Sequence, residues 1–346
     1  MRAADETHPI VGALPDRRAL MAAMAPFQAP SFRMSLWQFV STFLAFIAVN
    51  VAMYALIPVS YWLVLPLAVL GAGLTVRLFI IQHDCGHGAF FRSRRLNDWL
   101  GRFTSLVTFT PYAFWRRQHN NHHACFNNLD RRDTGIDIYS TCATVQEYRD
   151  LSPFRQWTYR AARHPLVTQL LLPPIVFLVL YRLPFDAPDG WKRERISVHL
   201  TNLGVFALLG LLMLILGVWP VLMVQLPIIA IAAIVGVWLF SVQHRFEEAQ
   251  WARQEQWDPV MASLDGSSYL KLPGVLQWFT GNIGFHHVHH LSARVPNYRL
   301  QACHEARPEL GRVTTLNLWE ALRAPTFALW DEEQGRMVRF PSNRRP

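Results

Sequence analysis

No Asp, Glu, Lys or Arg occurs between Arg33 and Arg77, and none between Arg195 and Arg245, leaving uncharged runs of 43 and 49 residues. A membrane-crossing helix takes about 20 apolar residues to span a hydrocarbon core about 30 Å thick, so each run has the length of a helical hairpin. The pattern predicts spans over 37–56 and 62–81, turning at Ile57-Pro58-Val59-Ser60-Tyr61, and over 198–217 and 220–240, turning near Gly217, Trp219 and Pro220. Leu203 to Phe240 carries one strongly polar side chain, Gln225. Arg77, near the end of the second span, is expected to snorkel to the headgroups.

The segments between these runs are polar. Residues 1–35 read as a mobile or surface-lying tail without the basic-then-apolar pattern of a cleavable signal. Residues 82–163 mix Leu96, Trp99 and Phe103 with Arg92, Arg94, Arg95 and Arg102, a pattern for helices lying in the interface. The 164–182 segment holds Pro165, Pro173 and Pro174, and the proline pair is expected to break it into an interfacial or re-entrant piece. Residues 241–346 return to soluble composition. The two turns lack Lys and Arg, so the positive-inside rule places both termini and all the polar segments in the cytoplasm. The fold expected is all-α and integral to the membrane, one domain over 1–346, with four transmembrane helices in two hairpins under a cytoplasmic cap.

Composition agrees. Of 346 residues 51% are hydrophobic and 16% charged, against about 25% charged in soluble domains. That disfavours an ordinary soluble enzyme and a disordered chain. The net charge of +9 suits anionic headgroups or an acidic partner protein. No nucleic-acid-binding module accompanies it, so nucleic acid is not expected as a partner. Cys85, Cys125, Cys142 and Cys303 form no CxxC pair, and a cytoplasmic setting predicts free thiols.

The chemistry lies in the histidines. There are 14, and they cluster as His83-Asp84-Cys85-Gly86-His87, His119-Asn120-Asn121-His122-His123 and His286-His287-Val288-His289-His290. On a helix i, i+3 and i+4 share a face, so His83 with His87, His119 with His122 and His123, and His286 with His289 and His290 can converge. His287 points about 100° from His286, which makes it a spare or outer residue. His244 leaves the fourth span as His83 leaves the second and is a ninth candidate. His8, His164, His199 and His304 stand alone and are read as ordinary. Eight or nine imidazoles exceed the three or four ligands of one zinc ion, so two metals are expected. Imidazole serves iron, copper, nickel and zinc alike.

With its three boxes and Gln243-His244, the chain resembles the membrane fatty acid desaturases over roughly residues 35–305. Gly281-Asn282-Ile283-Gly284-Phe285, leading into the third box, and Val295-Pro296-Asn297-Tyr298 after it are similar to the bacterial acyl-lipid delta-12, or omega-6, branch. The resemblance implies a di-iron centre on His83, His87, His119, His122, His123, His244, His286, His289 and His290. It also implies O2 as co-substrate and removal of two hydrogens from adjacent methylenes of a monounsaturated acyl chain in a membrane lipid. Two external electrons accompany the reaction, and two waters result. No His-Pro-Gly-Gly haem motif is present, so the electrons are expected from a separate ferredoxin or cytochrome b5-type protein with its reductase. A bacterial inner membrane is the expected location, and a homo-oligomer is compatible with the reading.

Asp84, Asp130, Asp133, Asp137, Glu247 and Glu248 are candidates to orient ligand imidazoles. Asn282 matches a family residue that approaches a metal through water, and Asp133-Thr134-Gly135 a feature following box two. Thr104–Trp115 and Gln277–Phe285 are expected to wall an acyl tunnel, with Phe109, Trp115, Trp278, Phe279 and Phe285 as aromatic lining. A di-iron hydroxylase or ketolase acting on an alkane or carotenoid is the alternative within the group. A metal transporter or sensor is the alternative of another class.

Overall fold

The computed structural model describes residues 17–132 and 141–341. Four of its helices are long and apolar enough to cross a membrane. Helix α1 (Arg17–Met24) precedes α2 (Phe32–Leu56), and α3 (Tyr61–His87) completes the first hairpin. Ser31 caps α2 by accepting from the Met34 amide, and α3 ends where Gly88 turns left-handed at φ 69°. On α2 the buried positions are Ser35, Gln38, Thr42, Phe46, Asn50 and Met53, while Trp37, Leu44 and Val51 point outward and are exposed. An apolar exterior over a partly polar interior is stable only where lipid is the solvent.

Helix α4 (Arg94–Thr108) shows the same inversion, burying Asn97, Gly101, Thr104, Ser105 and Thr108 and exposing Leu96, Trp99 and Phe103. Its two faces have the composition expected of a helix lying in the interface. Helix α5 (Tyr112–Cys125) follows, then the short α6 (Val145–Asp150) and α7 (Pro153–Ala162). A π-helical turn over Leu166–Leu171 leads into α8 (Leu172–Leu178). The second hairpin is α9 (Lys192–Leu216) and α10 (Val218–Val242), joined at Gly217 with φ 90°. Gln225 of α10 donates to Asn50 Oδ1 at 2.8 Å and to Tyr54 at 3.0 Å on α2, tying the hairpins together inside the hydrocarbon. The remaining chain forms α11 (Pro259–Asp265), α12 (Gly274–Phe279), α13 (His286–Leu291), α14 (Asn297–Glu305) and α15 (Leu318–Arg323), with two small sheets of two- and three-residue strands.

Several expectations change. All four long helices outrun their apolar cores, because hydropathy marks the hydrocarbon slab and a helix has no reason to end at its edge. The tail is not loose within the described residues: Leu20 and Met24 are buried against Val288, Val295 and Leu300, and Arg307 donates to the Ala23 carbonyl at 2.8 Å. Arg77 does not snorkel. It is buried, its guanidinium lies 4.0 Å from the Trp278 ring centre, and it donates to the Trp278 carbonyl and to Thr42 Oγ1. The 164–182 segment bends by 44° between α7 and residue 166, at Pro165 rather than at the proline pair. Pro173 and Pro174 fall in the first turn of α8, where a missing N–H costs little.

Candidate metal centre

Nine imidazoles meet where α3, α5, α10 and α13 end. Each helix delivers its histidines for a local reason. The box-one pair occupies the last two turns of α3. Helix α13 is aimed by a turn in which Gly281 and Asn282 are both left-handed, at φ 54° and 58°. It is then pinned by Phe285 stacked on Tyr269 at 4.4 Å and by the Leu270 amide donating to the Gly284 carbonyl. His244 lies two residues past α10, its Nδ1 3.4 Å from the Gly266 carbonyl.

The imidazoles form two groups, His83, His87, His119, His123 and His289 in one and His122, His244, His286 and His290 in the other. Within each group one nitrogen per ring lies within 4.8 Å of every other. Nε2–Nε2 separations are 3.1 Å for His83–His289, 3.1 Å for His119–His123 and 2.9 Å for His123–His289. In the second group they are 3.2 Å for His122–His244, 2.9 Å for His244–His286 and 3.0 Å for His286–His290. The His123 and His290 rings stack at 4.3 Å where the groups adjoin.

Face-sharing along a helix therefore does not assign the site. Box two sends the i, i+4 pair His119 and His123 to one group and His122 to the other. Box three sends His286 and His290 to the second group and His289 to the first. His287 joins neither, and its Nε2 lies 3.0 Å from His304 Nδ1. His304, a solitary histidine 14 residues beyond the third box, carries no signal in the sequence for this contact.

Burial, and then the neighbouring imidazoles, hold His119, His123, His286, His289 and His290 well below the usual imidazole range. They are neutral at pH 7, with lone pairs available. A neutral imidazole has one N–H, so these many Nε2 pairs about 3 Å apart cannot all be hydrogen bonds, and His87 Nε2 is buried with no hydrogen-bond partner among the described residues. Two nitrogens each about 2.1 Å from one ion, at right angles, stand about 3 Å apart. The donor set fits metal ions.

Of the outer candidates, Asp84 Oδ1 lies 3.2 Å from His83 Nδ1. Asn282 donates to the Asn297 carbonyl at 3.2 Å. Asp130 and Glu247 are engaged at the surface with Arg253 and Arg336, and Glu248 is exposed. Asp133-Thr134-Gly135 and Asp137 lie outside the described residues, as does His8.

A cavity of about 300 Å³ opens beside the histidines, bordered by His83, His119, His122 and His286 and otherwise mostly apolar. Trp115 lines it as expected. Phe109, Phe279 and Phe285 do not, being packed into other apolar clusters, and Trp278 is exposed. The walls are α3, α5, α10 and the stretch from Leu172 to Asp186, joined by Thr108 and Ile283 from the two segments expected there. From sequence the stretch from Leu172 to Asp186 falls largely in the interfacial or re-entrant piece, and its mixed prolines and apolar residues carry no mark of what they face. Gln118 donates to Asp186 at 3.0 Å on this border, and burial raises the Asp186 pKa.

The family model for fatty acid desaturases matches residues 60–316. The chain belongs to the fatty acid desaturase family. A fatty acid desaturase of Bacillus subtilis (strain 168) is 43% identical over 324 residues, 94% of this chain and 91% of that one. The sn-1 oleoyl-lipid 12-desaturase of Picosynechococcus sp. is 27% identical, covering 81% of this chain and 80% of its own. The sn-1 acyl-lipid omega-3 desaturase (ferredoxin) of Synechocystis sp. is 26% identical, covering 77% and 75%. This desaturase is thus a membrane enzyme of lipid acyl chains, with two histidine groups able to bind metal.

Proposed function

We propose that this desaturase inserts a cis double bond at the delta-12 (omega-6) position of a monounsaturated acyl chain in a membrane lipid. In this reading His83, His87, His119, His123 and His289 hold one iron, and His122, His244, His286 and His290 the other. The observation that carries it is the apolar cavity ending on both histidine groups. Methylene hydrogens have no acidity that a side-chain base could exploit, and two iron ions supply the oxidative chemistry, with O2 and two electrons consumed. The chain's own part is positional. Imidazole nitrogens face the metal positions, Trp115 stacked 4.7 Å from His119 and Phe240 4.9 Å from His122 exclude water, and the cavity walls align the acyl chain.

The position is supported by the third-box wording and by one relative named for 12-desaturation, while a relative of similar identity is named for omega-3. A separate ferredoxin or cytochrome b5-type donor is part of the proposal, supported by the ferredoxin in that relative's name. So is a cytoplasmic site in a bacterial inner membrane, supported by the basic polar segments. With all nine imidazoles on one side, α9 and α10 supply the two crossings between boxes two and three, and residues 166–182 line the cavity without crossing. Expression in a host whose lipids are only monounsaturated, with mass-spectrometric location of any new double bond, tests the reading. A diene is expected, and a hydroxylated or keto product would replace desaturation by the alternative chemistry.

A further inference from the structure

We propose that Asn297 is the positioning residue of the five-histidine group. It holds the Asp84 carboxylate on His83 and so sets the metal affinity of that group and not of the other. The proposal rests on reading the two groups as metal sites. Asp84 is 2% exposed, and its Oδ2 accepts two bonds from Asn297, one from the backbone N–H at 2.7 Å and one from the side-chain amide at 2.8 Å. Asn297 opens α14 directly after Pro296, and a first helical residue has no intrahelical acceptor for its N–H, which leaves that donor for the carboxylate. The positive end of α14 also favours the negative charge there.

With Oδ2 occupied twice, the carboxylate cannot rotate, and Oδ1 is presented to His83 Nδ1 at 3.2 Å. That fixes the His83 proton on Nδ1 and leaves the Nε2 lone pair facing the group, 3.1 Å from His289 Nε2. Asn297 is itself fixed. Its Oδ1 accepts from Gln38 Nε2 of α2 at 2.8 Å and its carbonyl from Asn282 at 3.2 Å. One buried amide therefore joins the first span, the first box and the approach to the third.

The four-histidine group is supported differently. The Nδ1 atoms of His286 and His290 are buried without a hydrogen-bond partner among the described residues, and that of His244 meets a backbone carbonyl. An outer carboxylate raises ligand basicity and is worth about 10- to 100-fold in metal affinity.

The test is cobalt(II) titration of the full chain, purified in detergent and stripped of metal, read by visible absorption. Two binding steps are expected, His87→Ala identifying the five-histidine step and His244→Ala the other. Asn297→Ala should weaken the five-histidine step about 10- to 100-fold and leave the other unchanged. Asp84→Asn should move the same step, and the double variant should be no worse than the more affected single. Equal weakening of both steps, no weakening, or additive losses would overturn the proposal. Should Asn297→Ala not be recovered folded, Gln38→Ala should weaken the same step by less than 10-fold, and an unmoved step would overturn it. Cobalt binding needs no lipid, donor or turnover. Two-step binding indifferent to Asn297 defeats this inference alone, whereas a missing double bond with normal cobalt steps defeats only the proposed reaction.

Discussion

Gly236 offers a way to measure whether the cavity is the acyl path. It lines the cavity on α10, and a Cβ built on it meets nothing within 4 Å. It lies eight residues before His244, about 12 Å along a helix at 1.5 Å per residue. A leucine there would project into empty space. Replacing glycine inside a helix is itself favourable by roughly 0.5–1 kcal/mol, so the fold should survive. Its four side-chain carbons would displace about four methylenes of a bound chain, and at ~0.8 kcal/mol per methylene the loss is about 3 kcal/mol, roughly 100-fold in kcat/KM. Gly236→Ala removes about one methylene's worth, roughly 4-fold by the same arithmetic. The effect should fall on chains long enough to reach Gly236 and spare shorter ones. The assay is gas chromatography of lipids from cells fed oleoyl and shorter monounsaturated chains, with iron content measured on the purified variant. Wild-type conversion of oleoyl chains by a folded, iron-loaded Gly236→Leu enzyme would show that the substrate does not lie along α10.

His289→Ala and His122→Ala, one from each group, should each abolish double-bond formation while a monodisperse membrane protein is still recovered, and His287→Ala should retain product. Full yield from either of the first two would contradict its place in the centre. Gly284→Ala should lower both metal content and product, since its Cβ would stand 2.4 Å from the Leu270 backbone carbonyl, which cannot yield as a side chain would. Normal iron content in that variant would show that α13 tolerates the shift. Arg77→Met should lower thermal stability in detergent by about 2 kcal/mol, the scale of hydrogen bonds from a charged group; an unchanged melting temperature would mean that its contacts to Thr42 and Trp278 add nothing net.

The four long apolar helices and the nine clustered histidines were legible in the order of residues, because hydropathy over 20 residues and helical spacing are local quantities. Helix α4 was legible for the same reason, its exposed Leu96, Trp99 and Phe103 recurring at helical intervals. What could not be read was which imidazole shares a site with which. That depends on the directions in which α3, α5, α10 and α13 converge, and the i, i+3 neighbours His119 and His122 end in different groups although they stand on one face. The burial of Arg77, the docking of Leu20 and Met24, the cavity wall at 172–186 and the Asn297–Asp84 contact likewise join residues tens to hundreds of positions apart. The order of residues was enough for four apolar helices and a clustered histidine centre, since solvent preference and ligand chemistry belong to single residues and short periods. How that centre divides and what holds it follow from the way the helices pack, since distances across helices are encoded in no local pattern.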